Sequence, residues 1–133
     1  MFVGFPPWQM PFGGHQQITD SMFGKTPFCH LLPKKIYKKY LKLIGEREGK
    51  IEHMMSLVET GLSIEEFEEL ISESGCHVVE KKYYMLNPIY EYKFGVRPIE
   101  QFPFVYEIPW IRNFLTTTVF YLLEFKGHAE PSP

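Results

Sequence analysis

The chain opens on an apolar run, Met1-Phe2-Val3-Gly4-Phe5, that empties at once into Pro6-Pro7-Trp8-Gln9-Met10-Pro11-Phe12-Gly13-Gly14-His15-Gln16. A run of this kind predicts a fully buried strand. Pro6 ends it, because proline offers no N–H to a ladder and keeps its predecessor extended. Buried strands followed by loops rich in proline, aromatics and glycine sit at the ligand-binding edge of open α/β sheets. The opening therefore predicts a sheet whose binding end is present, and a chain that starts part-way through a larger domain.

Composition bounds the rest. The 133 residues are enough for one domain with a real core. Aromatics make up 17%, which predicts either an aromatic-rich core or amphipathic surfaces that hold a ligand. A net charge of −2 gives no general attraction to nucleic acid or to an acidic membrane. Cys29 and Cys76 lack metal spacing, and Met1-Phe2-Val3-Gly4 lacks a signal peptide's basic region, so two reduced thiols in a cytoplasmic protein are expected. Phe114 to Phe125 is too short to span a bilayer and carries three threonines. Residues 127–133 read as a disordered tail after a single domain over 1–126.

Residues 17–32 show no period and read as irregular. Pro33 then introduces a helix with Ile36, Tyr37, Tyr40, Leu41 and Ile44 on one face and five lysines on the other, ended by Gly45. The lysines read as a solvated face rather than a phosphate site. Residues 51–59 form either a short helix or an extended lead-in. Ser63-Ile64-Glu65-Glu66 is a capping box, and Gly75 supplies the stop of that helix. Glu65, Glu66, Glu68, Glu69 and Glu73 are expected mainly on its solvent side. Cys76–Leu86 reads as a strand. Thr116–Phe125 is a near-continuous β-branched and aromatic run, which predicts an interior strand buried on both faces. The long proline-punctuated connection between them predicts a functional segment, with Tyr90, Tyr92 and Phe94 as lid candidates.

No zinc spacing, P-loop, nucleophile elbow or dinucleotide glycine fingerprint occurs, so no metal site is expected. In the loop after the first strand, Trp8 and Phe12 can stack on a planar ligand and His15 can take a proton. His30, His53, His77 and His128 read as structural or exposed.

Two stretches, Phe5-Pro6-Pro7-Trp8 with Pro11-Phe12-Gly13-Gly14-His15-Gln16 and Asn87-Pro88-Ile89-Tyr90-Glu91-Tyr92-Lys93-Phe94-Gly95, carry a resemblance. Together with the order of elements, they resemble the C-terminal half of a class I S-adenosylmethionine-dependent methyltransferase of the small bacterial type. The resemblance implies a partial Rossmann-like α/β sheet in which Met1–Phe5, Cys76–Leu86 and Thr116–Phe125 are strands five, six and seven. The seventh is antiparallel and inserted between the other two. It further implies that Pro7, Trp8, Phe12, Gly13, Gly14, His15 and Gln16 form the substrate-side loop, with His15 the candidate catalytic base. The partner is then a small-molecule methyl acceptor. The family's glycine-rich loop and acidic strand end have no counterpart here, so no cofactor-binding residue is assigned and S-adenosylmethionine is not expected to bind this chain tightly. A second reading is a non-catalytic half-domain that self-associates through the unpaired edge of Met1–Phe5. In a third, the first strand is rearranged within a free-standing α+β unit.

Overall fold

In the computed structural model, which describes residues 1–125, the chain is α/β, with one four-stranded sheet and six α-helices among those residues. The expected disordered tail, 127–133, lies outside the described residues. Four strands in chain order, β1 (Phe2–Phe5), β2 (Cys76–Leu86), β3 (Ile99–Glu100) and β4 (Thr118–Phe125), form the sheet in the spatial order β1-β4-β2-β3. Every neighbouring pair is antiparallel. β4 therefore stands between β1 and β2, which run parallel to each other without touching. Its register sets Val119 against Phe5 on one side and Tyr83 on the other.

Helices α1 (Lys34–Leu43) and α2 (Glu48–Thr60) pack as a pair beside the sheet. Their core joins Tyr37, Leu41, Ile51, Met54 and Met55 to Cys29, and the Tyr37 hydroxyl donates to Met54 Sδ at 3.3 Å. The lysine-bearing face of α1 is exposed, and Gly45 closes the helix at φ 81°. Three single 3₁₀ turns shape the irregular stretch before it.

Helix α3 (Ile64–Glu73) covers one face of the sheet. The Ser63–Glu66 capping box is formed in full, and Ile64, Phe67 and Ile71 pack on Val3, Phe5, Val119, Tyr121 and Leu123. The cap contributes on the order of 1 kcal/mol. Three further helices, α4 (Ile89–Phe94), α5 (Pro103–Tyr106) and α6 (Ile111–Leu115), lie in the long connection between β2 and β4.

Three expectations need correction. β4 is buried on one face only: Val119, Tyr121 and Leu123 are covered, whereas Leu122 is 41% exposed and Phe120 half-buried. β1 is likewise not fully buried, since Phe2 lies on the same open face. That face carries a Phe2–Phe120 stack at 5.3 Å, and Phe120 lies over Gly4, where any Cβ would meet its ring. Composition reports that a strand is apolar; whether a second layer of helices covers it depends on what the rest of the chain supplies.

The third correction concerns α3. Glu65 and Glu68 turn inward rather than to solvent, because cations and hydroxyls from three other elements meet them there. Arg112 of α6 donates to Glu65 (2.8 Å), Glu68 (3.1 Å) and the Tyr83 hydroxyl (3.1 Å). Glu68 also accepts from Lys81 and from the Tyr83 and Tyr121 hydroxyls. Asn113 accepts from the Ile64 N–H at 2.8 Å and donates to Glu65, so α6 caps α3. Burial alone would raise both carboxyls. For Glu65 the Trp110 N–H, Asn113 and Arg112 outweigh it, and for Glu68 Lys81 and Arg112 do, so both lie below the usual carboxylate range. Trp110 is held at φ 66° while its N–H reaches Glu65. This cluster clamps the β2–β4 connection to the sheet.

Candidate functional site

The carboxyl ends of β1 and β2 open at the same end of the sheet, where the intervening β4 begins. The chain leaving β1 at Pro6 and the chain leaving β2 at Asn87 diverge there and enclose a cleft of about 670 Å³. The first wall is made by Pro6, Met10, Phe12, His15, Gln17 and Ile18. Asn87, Tyr90, Lys93 and Phe94 form the second, and Thr117 lies at the base.

The first wall is braced from behind. His30, 1% exposed, has its Nε2 2.6 Å from the Trp8 carbonyl and its Nδ1 2.5 Å from Gln16 Nε2. Gln16 Nε2 also donates to the Pro11 carbonyl. With the Gln16 amide donating to the Pro11 carbonyl, the matching assignment is a neutral imidazole whose Nε2–H donates to the Trp8 carbonyl and whose Nδ1 accepts from that amide. Burial holds the His30 pKa below its ordinary value, with the Trp8 carbonyl opposing in part. Gly13 and Gly14 are buried, and a Cβ at Gly13 would run into the Trp8 carbonyl. The tight turn delivers His15 at φ 56°, exposed at the rim of the cleft.

The second wall is one face of α4. Asn87 Oδ1 accepts from the Ile89 N–H at 3.0 Å in a turn that leads into the helix, which Gly95 ends at φ 66°. Tyr90 and Phe94, one turn apart, face the cleft as an edge-on pair with centroids 5.8 Å apart. Lys93 lies beside them and has no ion-pair partner among the described residues.

Of the predicted loop residues, Phe12 and His15 line the cleft. Trp8 does not: its ring packs edge-on against His30 at 4.7 Å and over Gly61. Pro7, Gly13, Gly14 and Gln16 are buried behind the wall and shape it. Tyr90 and Phe94 reach the cleft, while Tyr92 is 92% exposed and does not line it. Sequence reasoning missed Asn87 and Lys93 as lining residues, although both lie in the stretch it singled out. It also missed Gln17, Ile18 and Thr117, which carry no motif, whereas Met10 lies inside the loop of residues 6–16 that it singled out.

The ribose diol and the ammonium group of S-adenosylmethionine are donors for which a carboxylate is the natural acceptor. Among the described residues no carboxylate lines the cleft, and its one formal charge is the cation Lys93. The residues present do not fit that cofactor. Flat apolar side chains line the cleft instead, Phe12 on one wall and the Tyr90–Phe94 pair on the other. No group of three or more His, Cys, Asp or Glu is placed to hold a metal among the described residues, and no described helix is long and apolar enough to cross a membrane.

No family model, curated protein or solved structure matches this chain.

Proposed function

We propose that the chain supplies the acceptor-binding side of an S-adenosylmethionine-dependent methyltransferase sheet and contributes no cofactor-binding side chain. The observation that carries this reading is the cleft at the carboxyl ends of the parallel pair β1 and β2, between the loop after β1 and α4. Open α/β sheets bind ligands at that end. The placing of β4 between β1 and β2, antiparallel to both, agrees with the strand order five-seven-six that the resemblance implies. In this reading Phe12, Tyr90 and Phe94 orient the acceptor, and the His15 imidazole at the rim is the group able to accept a proton from its nucleophile.

Calorimetric titration of the full chain with S-adenosylmethionine, paired with NMR titration of 2-naphthylmethanol as a flat acceptor surrogate, tests this. The expected result is no micromolar cofactor binding, with naphthylmethanol shifting the ring signals of His15 and Tyr90. Micromolar binding of the cofactor to this chain alone, or no shift at His15 and Tyr90, overturns the reading.

A second reading rests on the uncovered sheet face and the unpaired outer edge of β1, where Phe2, Phe120 and Leu122 surround a shallow hollow of about 280 Å³. Such an edge pairs with another chain. In this reading the chain is a self-associating binding module. Sedimentation showing a monomer at high micromolar concentration counts against it.

A further inference from the structure

The cleft has a chemical polarity as well as a shape. Its aromatic side chains, Phe12, Tyr90 and Phe94, supply flat apolar walls. Lys93 supplies a formal positive charge, unpaired among the described residues, and His15 and Asn87 add hydrogen-bonding side chains to the lining. A cation that no carboxylate neutralises attracts an anion. The nearest acidic residue in the helix, Glu91, does not line the cleft. Neutral apolar ligands would use the walls and leave Lys93 idle; cationic ligands would be repelled by it.

We propose that the cleft takes a planar aromatic ligand bearing an anionic group, with the ring between Phe12 and the Tyr90–Phe94 pair and the anion on Lys93 Nζ. This rests on reading the cleft as the acceptor side and names the class of acceptor. Lys93 is then a specificity-determining residue: it selects among flat ligands by charge without contributing to the grip on the ring.

The test compares 2-naphthoate with 2-naphthylmethanol, which share a ring system and differ in charge, by NMR titration of the full chain. The two ligands are titrated into the unaltered protein, Lys93→Gln and Phe94→Ala. Both substituted side chains are exposed, so folded variants are expected, checked by far-UV circular dichroism. In the unaltered protein naphthoate is expected to bind roughly threefold tighter than the alcohol, the size of an exposed ion pair. Lys93→Gln is expected to remove that preference while leaving the alcohol's affinity unchanged, and Phe94→Ala to weaken both ligands. Raising the salt concentration should shrink the preference. Equal affinities in the unaltered protein, or a preference that survives Lys93→Gln, overturn the anionic class and leave the acceptor cleft standing. Absence of shifts at His15 and Tyr90 with either ligand overturns the cleft itself.

Discussion

The two walls of the cleft are built by opposite strategies. The wall after β1 is braced by a buried second layer: His30, Gln16 and the glycine turn behind it leave little room for rearrangement. The wall of α4 has no buried residue in the helix, and Phe94 and Tyr92 are 71% and 92% exposed. One wall is pre-shaped by its own packing; the other is held at a distance, through the connection that Arg112 clamps onto α3. The contrast teaches where tolerance lies. Changes behind the first wall act on folding, whereas changes on the second act on what the cleft accepts.

The contrast can be broken most forcefully at the clamp. Arg112→Ala leaves Glu65 and Glu68 without their shared cation in a largely enclosed site, and a loss of roughly 3 kcal/mol is expected in urea unfolding. A midpoint unchanged from the unaltered protein would mean that the connection is anchored elsewhere. Behind the first wall, Gly13→Ala forces a Cβ against the Trp8 carbonyl and is expected to cost about 2 to 3 kcal/mol by the same measurement. Full stability there would show that the turn has slack.

pH sharpens the same side of the comparison. The His30 pKa is lowered in the folded state, so the unfolded chain takes up its proton first. Stability from this residue is complete above the ordinary value of 6.5 and is lost as pH falls below it. Between about pH 7.5 and 5.5 the urea midpoint is expected to fall further in the unaltered protein than in His30→Gln. Parallel slopes would remove His30 from the account. The smallest effect belongs to the second wall: Phe94→Ala is expected to change stability by less than about 0.5 kcal/mol. A large loss would show α4 to be part of the core after all.

Much of this was legible in the chain. The capping box and the Gly75 stop mark α3 almost to the residue, because those signals are local. Most of both walls lies in the two stretches that the sequence singles out, with Gln17 and Ile18 falling just beyond the first. Which side chains turn inward was not legible where it depended on distant partners. Glu65 and Glu68 look like a solvated face until Arg112, more than forty residues on, comes to meet them. The available signal was Arg112 itself, the one charged residue between Glu107 and Glu124. Tyr90 and Phe94 could have been separated from Tyr92 by their four-residue spacing, had the segment been read as a helix rather than as a lid of unspecified form. The coverage of β4 was not legible, since a strand's composition does not say which layers lie above and below it.

The position of β4 also bears on how the sheet is made. During synthesis β1 and β2 both leave the ribosome before the strand that joins them, and neither can complete a ladder with the other. Phe2 to Phe5 must wait through more than a hundred residues of translation for Val119 to Leu122. Assembly of this sheet is thus a late event of long sequence separation, which slows folding and puts the nascent chain in need of protection until Thr118–Phe125 emerges.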